Sequence, residues 1–248
     1  MEAQNQQKID SNKQSNQYTQ WNVLLNKSII NNRQLDFIKN ISISFLDSNN
    51  LPSIEMIQFG DIIQEKALIF PIDSRTKAFQ GIQKNKIIDL LWYFPLTQEK
   101  YTLKCNLQIF NKQEQNQQTQ ENENYIIFDD MEQIYQNFWD NKIDKEDKKL
   151  FQNPIPDSLT EERQVINKQL TDLDKYNSYD KKNLSDNFAL LVAIPFEITH
   201  TKYPKPQVIA DSRKPKFESI FQPYKKCNKY LHQFNKEKQI WIINPVNP

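Results

Sequence analysis

The sequence predicts a mainly β (β-rich α+β) fold, an antiparallel barrel with peripheral helices. About six to eight segments show the alternation or the short apolar runs typical of strands, and few of them follow a β-α-β order. Gly60 and Gly81 are the only glycines, so the chain cannot form the glycine-rich loops of Rossmann or P-loop proteins. With 248 residues, of which 38% are hydrophobic, it is long enough for one sizeable core.

The N-terminal segments predict a helix followed by a hairpin. Apolar residues recur at helical spacing over residues 18–30, which indicates an amphipathic helix. Two strand-like runs follow, at 35–46 and 54–59, and the polar residues 47–50 between them are typical of a tight turn.

The next segments predict three strands and one helix. A short strand is expected at 66–72, and residues 73–74 then supply an N-cap for a helix at 75–84. The run 87–94 is apolar almost throughout and predicts a buried strand, whereas the alternation over 99–110 predicts a half-buried one.

Two polar insertions separate these segments from the C-terminal strands. Residues 111–124 and 153–182 are polar, and helices are expected between them from Asp129-Asp130 to about residue 142 and at 145–151. Further strands are expected at 187–203, 226–234 and 238–243. We therefore predict a disordered arm at 1–17 and a single domain at 18–248.

The composition gives no sign of a nucleic-acid or membrane partner. Lys and Arg number 32 against 31 Asp and Glu, a formal net charge of +1. No apolar run approaches the roughly 20 residues of a spanning helix, and the polar N-terminus lacks the apolar core of a secretory signal. We expect a cytoplasmic, intracellular protein in which Cys105 and Cys227 are reduced thiols.

The histidines predict neither a metal site nor a catalytic base. His200 and His232 are the only two, which is too few for a conventional His/Cys metal site. No nucleophile can be paired with either one from the sequence, so no catalytic side chain is predicted. We expect His200 to lie on an edge strand.

One segment carries the clearest functional signal. Asp73-Ser74-Arg75-Thr76 is followed by Asn85, by Trp92-Tyr93-Phe94-Pro95 and by Thr97-Gln98-Glu99-Lys100-Tyr101. This pattern resembles the pyridoxamine 5'-phosphate oxidase-like, FMN-binding split-barrel family, in the branch with an RS…WYFPxTREQ-type motif. The helix around Trp21 and the closing run IWIINPVNP also resemble that family. The resemblance covers most of residues 18–110 and 185–248.

The resemblance implies a split β-barrel that forms a homodimer, with FMN lying between the subunits. Ser74, Arg75, Thr76 and Lys77 would bind the FMN phosphate, because guanidinium, hydroxyl and helix N-terminal amide groups are good phosphate partners. The pattern alone leaves another interpretation open, in which Ser74 is only an N-cap and the two basic residues form a solvated helix face.

The resemblance also places Lys100, Lys229 and Trp241 near the flavin, but several positions depart from the family pattern. The substituted positions are Glu55 and Gly60 for basic residues, Lys100 for a glutamine, Thr102 for an arginine, Ala78 for a lysine, and Lys225, Cys227 and Lys229 for Arg-x-His and Arg. The C-terminal changes keep positive charge but lose the imidazole and the bidentate guanidinium.

The leading hypothesis is an FMN-binding protein resembling pyridoxamine 5'-phosphate oxidases and, if catalytic, a flavin-dependent oxidoreductase. The alternative is a non-enzymatic barrel that has lost FMN and serves as a structural subunit or scaffold of a larger assembly, with its polar insertions around protein partners. A heme- or flavin-reductase-like relative on the same barrel is a third option.

Overall fold

The computed structural model describes residues 20–112, 128, 130–151, 184–204 and 227–246. Within them the helices are α1 Trp21–Asn32, α2 Lys77–Lys84, α3 Met131–Asn137 and α4 Lys145–Leu150, with a 3-10 turn at Asp36–Lys39 and a π-helical turn at Phe138–Lys142. The strands are β1 Asn40–Leu46, β2 Pro52–Gln58, β3 Asp61–Ile63, β4 Ala67–Asp73, β5 Ile87–Phe94, β6 Glu99–Asn111, β7 Phe188–Lys202, β8 Asn228–Asn235 and β9 Ile240–Val246.

These elements confirm most of the predicted segments. The arm at 1–17, most of the insertion at 111–124 and the insertion at 153–182 lie outside the described residues. The sequence missed β3, because a strand of three residues is too short to show an alternating pattern.

The described strands pair into one sheet in the order β2-β1-β5-β6-β7-β4-β3, with β8 paired to β7 and β9 paired to β8. The registers of the β1–β2, β3–β4, β4–β7, β7–β8 and β8–β9 pairs are all antiparallel. The predicted hairpin is confirmed, because Ile43 lies opposite Glu55 and the Asp47 carbonyl accepts a hydrogen bond from the Asn50 N–H at 3.0 Å.

The chain divides into two compact units. Among the described residues, the first unit comprises 20–38, 90–104, 196–204 and 227–246, and the second comprises 39–89, 105–112, 128, 130–151 and 184–195. The strands β5, β6 and β7 therefore contribute residues to both.

The second unit has an aromatic core beneath α3 and α4. Phe188 is fully buried, and its ring centroid lies 5.1 Å from those of Tyr135 and Trp139 and 5.3 Å from that of Phe151. Burial raises the pKa of Tyr135 to about 12, and its hydroxyl donates a 2.8 Å hydrogen bond to the Phe188 carbonyl. We call Phe188, Tyr135, Trp139 and Phe151 the aromatic cluster.

Strand β5 differs from the prediction of a fully buried strand. Its residues alternate between exposed and buried, and Ile87, Leu91 and Tyr93 are among the exposed large hydrophobic side chains. An apolar run shows that both faces of a strand are apolar, but it does not show that both faces are covered.

Helix α2 begins later than predicted. Its N-cap is Thr76, whose hydroxyl accepts the Phe79 N–H at 3.3 Å, so the prediction of Asp73-Ser74 as the cap is wrong. The Asp73 carboxylate instead accepts hydrogen bonds from the Arg75 N–H and guanidinium. The Asp73 carboxylate, which could have capped the helix, therefore forms an ion pair with Arg75.

Replacing Gly81 with alanine is expected to destabilise the protein. A Cβ at Gly81 in α2 would collide with the Leu46 carbonyl oxygen and lie 3.1 Å from Asp47 Cα. Because these are backbone atoms of the β1–β2 hairpin, we expect Gly81→Ala to lower the free energy of unfolding by about 1–3 kcal/mol, although alanine favours helices. Urea unfolding measures the change, with the exposed Gln80→Ala as control; a more stable Gly81→Ala variant would show that this contact can relax.

Candidate functional site

The four residues predicted to bind phosphate lie together in the second unit, at the turn from β4 into α2. The Ser74 N–H donates to the Asn187 carbonyl at 2.8 Å, which fixes the start of the turn on β7. The Thr76 hydroxyl caps α2, and Lys77 is the exposed first residue of that helix. The first N–H groups of a helix and its dipole favour an anion at this end.

Arg75 is held by contacts on two sides. Its Nε and Nη2 atoms donate to the Asp73 carboxylate at 2.9 and 2.6 Å, and Nη2 also donates to the Leu150 carbonyl oxygen at 3.1 Å. Leu150 is the last residue of α4. These hydrogen bonds fix the position of the guanidinium. Asp73 balances its positive charge, and one Nη2 hydrogen is donated to the last carbonyl of α4.

The structure leaves no room for a larger side chain at Gly60. A Cβ at Gly60 would collide with the Phe138 ring and lie 2.9 Å from the Ile69 carbonyl oxygen. The π-helical turn at Phe138–Lys142 therefore fills the space that a lysine or arginine side chain would need at this position.

Glu55 lies on the apolar face of the β1–β2 pair. It stands opposite the fully buried Ile43, and side chains directly opposite one another share one face of an antiparallel sheet. Its neighbours Ile54 and Met56 point to the other face, where they are 75% and 66% exposed. A half-buried carboxylate therefore stands on the inner face of this pair of strands.

The three residues expected near the flavin belong to the first unit. Lys100 is half-buried on β6, and Lys229 is half-buried on β8 opposite Thr201. Trp241 on β9 packs its ring against Phe234 at 5.5 Å and against Trp21 at 6.1 Å between centroids. The phosphate turn belongs to the second unit, so no contact within one unit tests whether Lys100, Lys229 and Trp241 bind the same flavin. Their flavin-binding role stays a prediction.

The first unit also contains a buried polar network that the sequence did not reveal. The Ser28 hydroxyl donates to Glu99 Oε2 at 2.6 Å and lies 3.1 Å from the Tyr101 hydroxyl. The His200 ring stacks on Tyr101 with centroids 4.4 Å apart, and Lys202 Nζ lies 3.3 Å from Glu99 Oε1. We call these five residues the Glu99 network.

Glu99 is ionised in this network. Burial acts to raise the pKa of its carboxyl group. Polar contacts with His200, Ser28 and Thr97 and the charge of Lys202 outweigh that effect and lower the pKa from 4.5 to about 2. The group that accepts the Ser28 hydrogen bond is this weakly basic carboxylate, and His200 lies on the far side of it, so the network is not a catalytic triad.

Two buried histidines lie diagonally across the β7–β8 pair, with His200 opposite Tyr230 and His232 opposite Ile198. His200 is 4% exposed, so its predicted place on an edge strand is wrong; β7 pairs with strands on both sides. His232 is 1% exposed, and neither of its ring nitrogens has a hydrogen-bond partner among the described residues. Burial, with a smaller contribution from His200, lowers the pKa of His232 to about 4.

These two pKa shifts give an expected acid sensitivity. His232 should bind its proton at pH 6.5 in the unfolded chain but only near pH 4 in the folded protein, so stability is lost as pH falls across that window. Glu99 extends the loss from about pH 4.5 to about pH 2. Urea unfolding between pH 7 and pH 4 measures it, and His232→Phe should flatten the dependence above pH 4. An unchanged slope in that variant would exclude His232 as the source.

Metal ligands and membrane spans were also considered for the described part of the chain. No group of three or more His, Cys, Asp or Glu side chains in it could hold a metal ion. Its helices are all too short or too polar to cross a membrane.

Comparison with known proteins identifies the fold. No protein-family model and no curated protein matches the sequence. The structure is similar to a pyridoxamine 5'-phosphate oxidase-related, FMN-binding protein from Nostoc punctiforme PCC 73102, with 17% identity over 94% of this chain and 99% of that chain and a TM-score of 0.67. It is also similar to PhzG from Burkholderia lata 383, solved with tetrahydrophenazine-1-carboxylic acid, with 11% identity over 94% and 95% of the two chains and a TM-score of 0.64.

The chain therefore has the β-rich split-barrel fold of pyridoxamine 5'-phosphate oxidase-related proteins. This confirms the predicted fold class and, at the level of the fold, the family resemblance of the sequence.

Proposed function

We propose that this protein binds FMN and that the FMN phosphate is held at the turn from Ser74 to Lys77. The observation that carries the proposal is the donor set at this turn: a guanidinium, the Ser74 hydroxyl, an ammonium group and a helix N-terminus capped by Thr76, all within four consecutive residues. A phosphate dianion fits this chemistry. The similar protein from Nostoc punctiforme, described as FMN-binding, supports the choice of cofactor.

Each residue of the turn has a distinct role in this proposal, and that of Thr76 is to cap α2. Arg75, oriented by Asp73, donates to phosphate oxygens, and Lys77 adds positive charge at the exposed start of α2. Ser74 and the first N–H groups of α2 complete the contacts. Bound FMN would supply two-electron redox chemistry, and the chain would bind and orient it, so no side chain need act as acid or base.

Loss of the Arg75 guanidinium should weaken FMN binding more than riboflavin binding. Hydrogen bonds to a charged group contribute about 1.5–3 kcal/mol, so we expect Arg75→Ala to raise the Kd for FMN by roughly 10-fold to 100-fold. Riboflavin lacks the phosphate, and its Kd should change little. Quenching of flavin fluorescence measures both constants.

The matched control for this experiment is Arg33→Ala, because Arg33 is an exposed arginine outside the turn. Its Kd for FMN should equal that of the wild type. Equal losses of FMN and riboflavin affinity in Arg75→Ala would show that Arg75 maintains the fold of the turn and does not contact the phosphate.

A second candidate function is a barrel without FMN that serves as a subunit of a larger assembly. Two observations favour it: Glu55 places negative charge on the inner face, and Phe138 fills the space beside Gly60. The exposed apolar pair Ile54 and Met56 on β2 offers a surface for protein contact, either with a partner or with a second copy in the proposed homodimer. Wild-type protein that ignores added FMN but purifies with a fixed set of proteins would favour this function.

A further inference from the structure

The C-terminal end of α4 contacts the same arginine that the proposed phosphate site uses. The Leu150 carbonyl oxygen accepts a hydrogen bond from Arg75 Nη2 at 3.1 Å. Carbonyl groups at the end of a helix have no partner within the helix and carry its partial negative charge. Like a phosphate oxygen, this carbonyl oxygen accepts a hydrogen bond from the guanidinium, although it carries only a partial negative charge.

The contact with Arg75 is one of several that hold this end of α4. The Phe151 carbonyl oxygen accepts hydrogen bonds from Asn187 Nδ2 at 2.8 Å and from Ser185 Oγ at 3.5 Å. The Phe151 side chain is 8% exposed and belongs to the aromatic cluster. The Leu150 carbonyl is therefore held at Arg75 by neighbouring contacts that do not involve Arg75.

We propose that docking of the α4 end competes with phosphate for Arg75, so that this segment acts as an internal ligand that weakens FMN binding. This inference rests on the proposed function, because it concerns regulation of the same site. Nη2 donates one hydrogen to Asp73 and the other to the Leu150 carbonyl, so a phosphate that binds Nη2 while the ion pair with Asp73 stays intact must displace the Leu150 carbonyl. By linkage, each binding event then weakens the other by the same factor. Release of the segment therefore raises the affinity for FMN.

The variant that tests this competition is Asn187→Ala. It removes the side-chain bond to the Phe151 carbonyl and keeps the backbone carbonyl of residue 187 that accepts the Ser74 N–H. Loss of a hydrogen bond such as that from Asn187 Nδ2 to the Phe151 carbonyl should weaken docking of the α4 end by about threefold to tenfold. The Kd for FMN should fall by the same factor. The Kd for riboflavin, which has no phosphate, should not change.

A matched control and a second readout accompany this variant. Asn141→Ala removes a comparable amide, whose Nδ2 donates to Asn137 Oδ1 at 2.6 Å on the exposed side of the π-helical turn, and should leave the Kd unchanged. Hydrogen exchange of residues 145–151 in the wild type should become faster when FMN is added. Ser185→Ala removes the other side-chain hydrogen bond to the Phe151 carbonyl, and it replaces Asn187→Ala as the test variant if Asn187→Ala does not fold.

The outcomes separate this inference from the proposed function. Equal FMN affinity in the wild type and in Asn187→Ala, or slower exchange of residues 145–151 with FMN, would overturn the competition while FMN binding itself stands. Absence of FMN binding in the wild type and in both loosened variants would overturn the proposed function and the competition together. We expect Asn187→Ala to have a lower Kd for FMN and an unchanged Kd for riboflavin. We also expect residues 145–151 of the wild type to exchange faster when FMN is added.

Discussion

Replacing Phe188 with alanine is expected to lower the free energy of unfolding by about 3–5 kcal/mol, the usual cost of removing a large buried aromatic side chain. Phe188 is fully buried, and its ring contacts the rings of Tyr135, Trp139 and Phe151. The substitution would remove the central ring of the aromatic cluster, and the surrounding rings belong to α3, to the π-helical turn and to the residue after α4, which cannot all move inward.

This loss is measured by urea unfolding, with Phe37→Ala as the matched control. The Phe37 side chain is 57% exposed, so its removal should change stability by less than about 1 kcal/mol. A small effect for Phe188→Ala, comparable to that of Phe37→Ala, would show that the helices over this sheet are not packed as described.

The second large loss of stability is expected when Glu99 is replaced with alanine. Its carboxylate is surrounded by Ser28, Tyr101, His200 and Lys202, and its side chain is 11% exposed. Lys202 is 56% exposed and water can solvate it in the variant, so the loss comes from the buried polar groups Ser28 and His200 that lose a charged partner, and Glu99→Ala should lower the free energy of unfolding by about 3 kcal/mol. The hydrogen bond from the Ser28 hydroxyl to the carboxylate is lost at the same time.

Glu197→Ala is the control for Glu99, because it removes a carboxylate from the same unit at a more exposed position. Glu197 pairs with Lys104 at 2.9 Å, and their side chains are 25% and 50% exposed. Exposed pairs of this kind contribute at most about 1 kcal/mol. Thermal unfolding at pH 7 compares the two variants. Similar losses for both would mean that Glu99 is as well solvated as Glu197 in solution.

Local patterns were sufficient to predict most of the elements. The alternation of Ile41, Ile43 and Phe45 and the turn chemistry at Asp47 identify the first hairpin, because strand period and turn composition are encoded within a few residues. The position of the α2 cap was less predictable: the neighbouring residues Asp73 and Thr76 can both cap a helix, and the choice depends on where Arg75 binds.

The Glu99 network could not be predicted, because its members come from distant parts of the chain. Ser28 is 71 positions from Glu99, and His200 is brought to it only by the pairing of β6 with β7. In the same way, the contact between Arg75 and the Leu150 carbonyl joins residues 75 positions apart and involves a backbone atom, for which the sequence has no signal. The turn at Ser74–Lys77 was predictable because its four residues are consecutive.

The most direct test of FMN binding is the absorption spectrum of the purified wild-type protein, before and after incubation with excess FMN and removal of the free cofactor. Bound flavin should be visible as bands at wavelengths typical of the cofactor, and denaturation should release FMN in proportion to the protein. A protein that remains colourless after incubation, with unchanged thermal stability in the presence of FMN, would contradict the proposed function, because a ligand of the folded state must stabilise it.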